Sequence, residues 1–261
     1  MNLKNRLKDG QSAVGLMLSE IYTPNITRLL GGIGFDFLIL DCEHGYFDLT
    51  QVANLVAVAK GCHLPIIVRA PQEASGNVGK YLDLGAAGIL LANVTCAEQA
   101  RRHVAQCLYA PQGNRGVSTF RAHTGYKNGE VTDMLRQANK SNIVVVQVES
   151  PEAITAVEDI LAVEGLDGVL VGPNDLTQQM GILGQYEHPD VQEAIRRVAV
   201  AAAACGKWSG IITGNEKLAR YCHSLGMSFF SVGSELSLLA KSAGKLLDDV
   251  SAIFGKKDDG R

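Results

Sequence analysis

The chain has 261 residues, of which 46% are hydrophobic and 20% are charged, and its formal net charge is −3 at pH 7. This length fits one large α/β domain, and the small net charge gives no footprint of a nucleic-acid-binding or membrane-surface protein. No apolar run approaches the length of a membrane span and residues 1–9 have no signal-peptide core, so we expect a cytoplasmic protein. Six cysteines are scattered without a CxxC pair, which argues against a zinc knot and a disulfide scaffold.

Strand-like runs alternate with helix-like runs eight times along the chain. The predicted strands are residues 14–18, 37–41, 66–69, 88–92, 144–149, 168–172, 208–213 and 229–233. The amphipathic segments between them include residues 49–60, 97–108, 151–163, 189–205 and 216–225. Such alternation implies parallel strands joined by helical crossovers, and eight units predict a single (β/α)₈ TIM barrel over residues 1–261, with a frayed tail at 255–261.

The longest irregular stretch is predicted from residue 110 to about residue 142. A loop of this length in a compact barrel is usually either functional or disordered. We expect it to cover the active-site mouth or to make contacts between subunits.

Two acids occupy the predicted C-terminal ends of neighbouring strands, where barrel active sites lie. Glu149 ends the fifth strand, and Asp175 follows the sixth. Carboxylate oxygens suit hard divalent cations, so the pair predicts two ligands facing each other across a metal. The alternative is that each acid only caps the helix that follows it.

Other titratable residues lie at or near this rim. His44 directly follows the second strand, where an imidazole could transfer protons near neutral pH. Arg69 ends the third strand and could either stabilise an oxyanion or pair with an acid such as Asp41. Asp83 ends a helix, where the helix dipole disfavours an acid; His44 could be its partner, and a solvated acid is the alternative.

No lysine lies at the C-terminal end of any predicted strand. A Schiff-base aldolase needs such a lysine, so carbonyl activation would fall to a metal. A phosphate site at the seventh and eighth loops stays open, because Gly214 and Gly233 could donate backbone amides.

These rim segments resemble the HpcH/HpaI aldolase family, the metal-dependent (class II) aldolases of 2-keto-3-deoxy acids. The matching pieces are LDCEHG (40–45), IVR (67–69), LDLGAAG (82–88), YAPQGNRG (109–116), QVE (147–149) and LDGVLVGPNDL (166–176). They follow the family's order and spacing over nearly the whole chain.

The resemblance implies a role for each matching rim residue. Glu149 and Asp175 would hold a divalent metal, typically Mg²⁺, Mn²⁺ or Co²⁺. His44 would act as the general base through a water, paired with Asp83. Arg69 would bind the keto oxygen of the pyruvate moiety and stabilise its enolate.

The same resemblance implies how the substrate and the subunits are arranged. Gln147 would lie near the metal and the substrate, and the amides around Asn174 and Asp175 would hold the substrate carboxylate. The family is commonly hexameric, with sites close to subunit interfaces. Departures from its pattern, at Ala70, Asn93 and Glu235, fall in the region of the aldehyde pocket and leave the metal and base positions intact.

The expected activity is reversible cleavage of a 4-hydroxy-2-oxo acid, of the 2-keto-3-deoxy sugar acid or 2,4-dihydroxyhept-2-ene-1,7-dioate type, to pyruvate and an aldehyde. The expected partners are these small molecules and further copies of the chain, with no nucleic acid and no membrane. Three alternatives remain at this stage. They are a citrate-lyase-like enzyme acting on a CoA thioester, an isomerase or synthase with a phosphorylated substrate, and a non-catalytic oligomeric barrel.

Overall fold

The apolar runs of the sequence pair side by side in chain order. In the computed structural model, which describes residues 2–71 and 77–254, eight parallel strands form a closed barrel in which β1 also pairs with β8. The strands are β1 (Ala13–Leu18), β2 (Phe37–Asp41), β3 (Ile66–Ala70), β4 (Gly88–Leu91), β5 (Ile143–Val148), β6 (Gly168–Val171), β7 (Trp208–Ile212) and β8 (Phe229–Ser234). The predicted (β/α)₈ barrel is therefore confirmed.

Helices connect the strands and cover the outside of the barrel. They are α1 (Leu3–Lys8), α2 (Asn25–Ile33), α3 (Leu49–Gly61), α4 (Val78–Asp83), α5 (Ala97–Cys107), α6 (Val131–Ser141), α7 (Pro151–Thr155), α8 (Val157–Leu161), α9 (Pro173–Gln179), α10 (Pro189–Ala204), α11 (Glu216–Ser224) and α12 (Glu235–Ile253). None of the described helices is both long and apolar enough to cross a membrane.

Two predicted segments differ from the structure. Residues 151–163 form two short helices rather than one, because Ala156 interrupts the helical backbone with φ −95° and ψ 7°. The stretch predicted to be irregular contains a 3₁₀ turn (Ala122–Thr124) and helix α6. Glu130 is the N-cap of helix α6, and its carboxylate accepts a hydrogen bond from the amide of Asp133. The predicted frayed tail lies outside the described residues.

Alternate strand residues fill the barrel interior. Phe37, Trp208 and Phe229 pack there, with the rings of Phe37 and Phe229 stacked 4.1 Å apart. Leu3 and Leu7 of α1 belong to the same buried cluster, so α1 closes the N-terminal end of the barrel. The opposite end, where the strands terminate, holds the polar side chains described next.

A buried ion pair fixes α1 in this position. Lys4 Nζ lies 2.8 Å from Asp167 Oδ2 and donates to the carbonyl of Asn142 at 2.5 Å. Asp167 Oδ2 also accepts from the amide of Val144 at 2.9 Å. Because Asp167 precedes β6 and Val144 lies in β5, one lysine joins the N-terminal helix to two strands.

Candidate active site

The ends of β2 and β3 bring an acid and a guanidinium together. Their register places Asp41 beside Arg69. Arg69 Nε donates to Asp41 Oδ1 at 2.9 Å, and Nη2 donates to Oδ2 at 2.6 Å. Burial opposes ionisation of Asp41, but the hydrogen bond and charge of Arg69 outweigh it and hold the pKa of Asp41 below its usual value. Two parallel hydrogen bonds therefore fix a cation at the barrel mouth.

The turn after β2 places Glu43 and His44 beside this pair. The amides of Glu43 and His44 donate to Asp41 Oδ1 at 3.0 and 3.2 Å, which shapes the turn. Glu43 Oε2 lies 3.3 Å from Arg69 Nη1 and 3.9 Å from His44 Nε2. Burial raises the pKa of Glu43, partly offset by the charge of Arg69. The His44 side chain is 68% exposed, so it lies on the solvent side of the mouth.

A second carboxylate is held where β5 ends. Glu149 is buried, and its Oε1 accepts from the amide of Asn93 at 2.8 Å. Its Oε2 accepts from Gln147 Nε2 at 2.5 Å. Residues two apart on a strand share a face, so Gln147 and Glu149 both point into the barrel mouth. These contacts orient the carboxylate before any ligand binds.

Gly172, at the end of β6, leaves room for this arrangement. A Cβ at this position would lie 2.2 Å from Glu149 Oε2 and 2.6 Å from Gln147 Nε2. Any side chain here would displace one of the two groups. The space around Glu149 is thus set by the neighbouring strand.

Acidic side chains at the mouth repel one another. Burial, followed by the charge of Asp175, raises the pKa of Glu149 to about 7, and Glu43 adds to the effect. Asp175 also raises the pKa of Glu43, so the three acids share one electrostatic site. Asp175 lies in the first turn of α9, after Asn174, whose Oδ1 accepts from the Tyr186 hydroxyl at 2.6 Å.

A divalent cation fits this donor set. It would offset the repulsion among the acids, and carboxylate and amide oxygens are the ligands that hard cations prefer. Gln147 Oε1 is buried without a hydrogen-bond partner beside Glu149, so an oxygen donor is present for such an ion. Over residues 2–71 and 77–254, no group of three or more His, Cys, Asp or Glu side chains is arranged as a metal site. Two carboxylates would therefore leave the other coordination positions to water or substrate.

Known proteins share both the sequence and the shape of this barrel. The profile of the family described as HpcH/HpaI aldolase/citrate lyase matches residues 16–242. A 5-keto-4-deoxy-D-glucarate aldolase of Klebsiella pneumoniae is 40% identical over 225 residues, which are 86% of this chain and 87% of that protein.

The chain belongs to the HpcH/HpaI aldolase/citrate lyase family.

Solved structures of similar proteins agree with this assignment. The crystal structure of an HpcH/HpaI aldolase from Desulfitobacterium hafniense superposes with a TM-score of 0.89 at 32% identity and covers 100% of both chains. The citrate synthase SbnG superposes with a TM-score of 0.88 at 26% identity and covers 98% of this chain and 99% of its own. As a member of the family, this chain is a carbon–carbon lyase of the class II pyruvate aldolase type.

The structure brings most of the predicted site residues of this aldolase to one mouth. His44, Arg69, Gln147, Glu149 and Asp175 are connected there through direct contacts or through their mutual charge effects. Arg69 also pairs with Asp41. The two roles expected for Arg69, stabilising an oxyanion and pairing with an acid, are compatible because Asp41 orients the guanidinium.

Asp83 does not join them within one chain. It ends α4, next to the N-terminal end of β4, whereas His44 follows the C-terminal end of β2. Asp83 Oδ1 instead accepts from Arg115 Nη2 at 2.5 Å and lies 3.8 Å from His123 Nδ1. The expected pairing of Asp83 with His44 therefore does not occur inside a single barrel.

Sequence reasoning missed one contributor to the site. The backbone amide of Asn93 orients Glu149, and Asn93 adopts a left-handed φ of 52°. Asparagine tolerates this conformation better than most residues, so an asparagine directly after a strand was the available signal.

Proposed function

We propose that this chain reversibly cleaves a 4-hydroxy-2-oxo acid to pyruvate and an aldehyde at the C-terminal mouth of the barrel. The observation that carries the proposal is the fixed Arg69 guanidinium beside a buried, repelling set of carboxylates. Aldol cleavage leaves an enolate on the pyruvate fragment, and the fixed Arg69 guanidinium supplies a positive charge for that oxyanion.

Glu149 and Asp175 would hold the divalent cation, which would be Mg²⁺, Mn²⁺ or Co²⁺. When bound, the cation would act as a Lewis acid that polarises the 2-oxo group. Gln147 keeps the Glu149 carboxylate aimed into the mouth through its bond to Oε2. The amides around Asn174 and Asp175, in the first turn of α9, would receive the substrate carboxylate.

Arg69 would stabilise the enolate oxygen. Asp41 engages Nε and Nη2, which leaves the Nη1 edge directed towards Glu43 and the centre of the site. A guanidinium that is already held in place needs no reorganisation when charge develops on the substrate, which favours the transition state.

His44 would accept the proton of the C4 hydroxyl through a water molecule. Its exposed ring lies on the solvent side of Arg69, where the part of the substrate beyond the pyruvate moiety would extend. If Asp83 is the partner of His44, it must come from a second copy of the chain, because the two residues lie at opposite ends of one barrel.

A homohexamer in the cytoplasm would supply such a second copy. Helix α12 supports oligomerisation, since Glu235 is its only described buried residue. The apolar side chains of Leu239, Leu246, Leu247 and Ile253 in α12, and of Phe254 directly after it, are more than half exposed. Exposed apolar faces of this kind mark interaction surfaces.

The physiological substrate class is tested by pyruvate release, coupled to lactate dehydrogenase. The panel contains several 4-hydroxy-2-oxo acids, including 5-keto-4-deoxy-D-glucarate. Citryl-CoA tests the thioester alternative, and because its cleavage would give oxaloacetate and acetyl-CoA, that reaction is followed with malate dehydrogenase. We expect metal-dependent release from the 2-oxo acids that is abolished by EDTA and restored by Mn²⁺ or Mg²⁺. Full activity in chelator would contradict the proposal.

A further inference from the structure

Arg115 is a buried cation that contacts Asp83. Its side chain is 1% exposed, and its Nη2 donates to Asp83 Oδ1 at 2.5 Å. The guanidinium carbon lies 4.5 Å from the centre of the Tyr109 ring, and Nε is buried without a hydrogen-bond partner among the described residues. A hydrogen bond between opposite charges is stronger than one between neutral groups, so Arg115 and Asp83 fix each other's orientation.

The turn before Arg115 determines where its side chain starts. The amide of Arg115 donates to the carbonyl of Leu108 at 2.9 Å, and the amide of Asn114 donates to the carbonyl of Ala105 at 2.7 Å. A Cβ on Gly113 would lie 2.3 Å from the Leu108 carbonyl oxygen, so this close approach requires glycine. The guanidinium therefore reaches Asp83 from a backbone that is itself hydrogen-bonded to the end of α5.

His123 lies beside the same carboxylate oxygen but does not supply its counter-charge. Its Nδ1 is 3.8 Å from Asp83 Oδ1, and its Nε2 is 3.4 Å from the Tyr109 hydroxyl. Burial, followed by the charge of Arg115, lowers the pKa of His123. At neutral pH the imidazole is therefore uncharged, and Arg115 is the cation that holds Asp83.

The second oxygen of Asp83 faces a different environment. The Asp83 side chain is 28% exposed, and within the described part of the chain no residue donates a hydrogen bond to Oδ2. The segment that follows the ion pair also exposes more than half of Phe120 and Tyr126. Apolar side chains exposed beside a polar group mark a surface that another molecule covers. A second copy of the chain is the expected occupant, because the proposed reaction pairs Asp83 with His44 and one barrel keeps them apart.

We infer that Arg115 is a positioning residue that orients Asp83 towards His44 of a second copy, so that each active site uses the Arg115–Asp83 pair of a neighbouring barrel. The inference rests on the proposed aldol reaction, in which Asp83 supports His44 as the base. Arg115 holds Oδ1, which leaves Oδ2 to accept the N–H of that imidazole. A histidine that donates one N–H to a carboxylate presents its other nitrogen as the proton acceptor.

Arg115→Gln tests this role in the assembled enzyme. Loss of the cation should lower kcat for pyruvate release about 10- to 100-fold, which is part of the effect that a general base supplies. Mn²⁺ affinity, measured by isothermal titration calorimetry, should stay within about tenfold of wild type, because neither Arg115 nor Asp83 is assigned as a ligand. Arg101→Gln, which breaks an exposed pair with Glu98, should keep the wild-type kcat. An unchanged kcat in Arg115→Gln would overturn the inference.

Mixed oligomers show in which barrel Arg115 acts. Arg115→Gln chains supply an intact His44, and His44→Ala chains supply an intact Arg115–Asp83 pair, so their mixture should recover about a quarter of the wild-type rate. A mixture of Arg115→Gln with Asp83→Asn should not exceed the rate of Arg115→Gln alone, because every chain then lacks one member of the pair. The two variants are co-refolded in equal amounts and assayed for pyruvate release.

The opposite pattern would contradict the inference. If Arg115 served only the mouth of its own barrel, the mixture with His44→Ala would stay inactive and the mixture with Asp83→Asn would recover. If Arg115→Gln does not refold, Arg115→Lys takes its place in both mixtures. It keeps the charge but not the planar donor group, so we expect the same pattern with a smaller loss of kcat.

Wild-type enzyme separates this test from the proposed function. Metal-dependent pyruvate release by wild type, together with the opposite mixing pattern, would refute the role of Arg115 alone. Wild type that releases no pyruvate from any 4-hydroxy-2-oxo acid, with or without Mn²⁺, would refute the proposed function itself.

Discussion

At the scale of single residues, the site depends on carboxylates that would repel one another without a cation. Glu149 is the most constrained of them, since it is buried and is held by Gln147 and Asn93. The repulsion among these carboxylates is offset only when a cation is bound. Cation binding should therefore be most sensitive to removal of the negative charge of Glu149.

Glu149→Gln should abolish metal binding while preserving the shape of the site. The amide keeps one oxygen but loses the charge, and we expect Mn²⁺ affinity to fall more than about 100-fold. Isothermal titration calorimetry measures the change. Glu43→Gln is the matched control, because it removes a neighbouring acid that is not assigned as a ligand, and it should keep affinity within about tenfold of wild type. Wild-type affinity in Glu149→Gln would refute the ligand assignment.

Arg69→Lys should impair cleavage and spare the metal. An ammonium cannot reproduce the two parallel bonds to Asp41, so the charge would no longer be fixed at the mouth. We expect kcat to fall about 10²- to 10³-fold, as for other donors that stabilise an oxyanion. Steady-state kinetics and Mn²⁺ titration are measured together. A loss of metal affinity as large as the loss of kcat would show that Arg69 organises the cation site instead.

At the scale of elements, α1 acts as a lid on the N-terminal end of the barrel, and Lys4 attaches it. Lys4→Ala leaves the Asp167 carboxylate buried without its cation, so the free energy of unfolding should fall by about 3–5 kcal/mol. Urea denaturation measures the loss. Lys217→Ala breaks an exposed pair with Glu187 and should cost less than about 1 kcal/mol. Equal losses in the two variants would mean that the buried Lys4 pair stabilises the fold no more than the exposed Lys217 pair does.

Helix α5 carries a buried neutral histidine that should make stability depend on pH. Burial lowers the pKa of His103 to about 4, below the value near 6.5 of an unfolded chain. The unfolded chain therefore binds the proton more readily, and the contribution of His103 to stability, complete above about pH 6.5, is lost progressively as the pH falls towards 4. The full loss is about 3 kcal/mol.

Urea denaturation between pH 7 and pH 5 tests this dependence. His103→Gln should flatten the decline relative to wild type, because glutamine has no charge to acquire. His223→Gln, at an exposed position in α11, should follow the wild-type curve. If the three curves are parallel, His103 does not contribute to the acid sensitivity.

At the scale of the whole molecule, the proposed partnership of His44 with Asp83 of a second copy predicts that catalysis depends on assembly. Mixed oligomers of His44→Ala and Asp83→Asn should regain activity that neither variant has alone. Recovery should reach about a quarter of the wild-type rate, since random pairing of chains supplies both intact residues at that share of sites. Co-refolding followed by the pyruvate assay measures it.

A second mixture of variants controls for contamination by wild-type enzyme. His44 and Arg69 lie at the mouth of the same chain, so mixing His44→Ala with Arg69→Lys should restore nothing. Recovery in both mixtures would indicate contaminating wild-type enzyme. Recovery in neither would mean that Asp83 serves only Arg115 and His123 in its own chain.

Residues near the strand ends were the most predictable part of the molecule. Apolar runs define the strands, and their last residues necessarily meet at one end of a parallel barrel, which predicts that His44, Arg69 and Glu149 lie together. Contacts made through the backbone were not predictable in this way. The bonds from Glu235 to three loop amides and from Asn93 to Glu149 depend on loop conformation, which side-chain patterns do not encode. Helix α6 was not predicted, because most of its residues are polar and none of them is buried.

The absence of a side chain at Gly172 offers a criterion for comparing related barrels with this one. A single hydrogen is all that fits between the backbone there and the two groups opposite, Glu149 Oε2 and Gln147 Nε2. A related sequence with a glutamate after its fifth strand but a larger residue at this point would have to hold that carboxylate elsewhere. One position without a side chain can thus distinguish barrels able to keep this geometry from barrels that share only its acids.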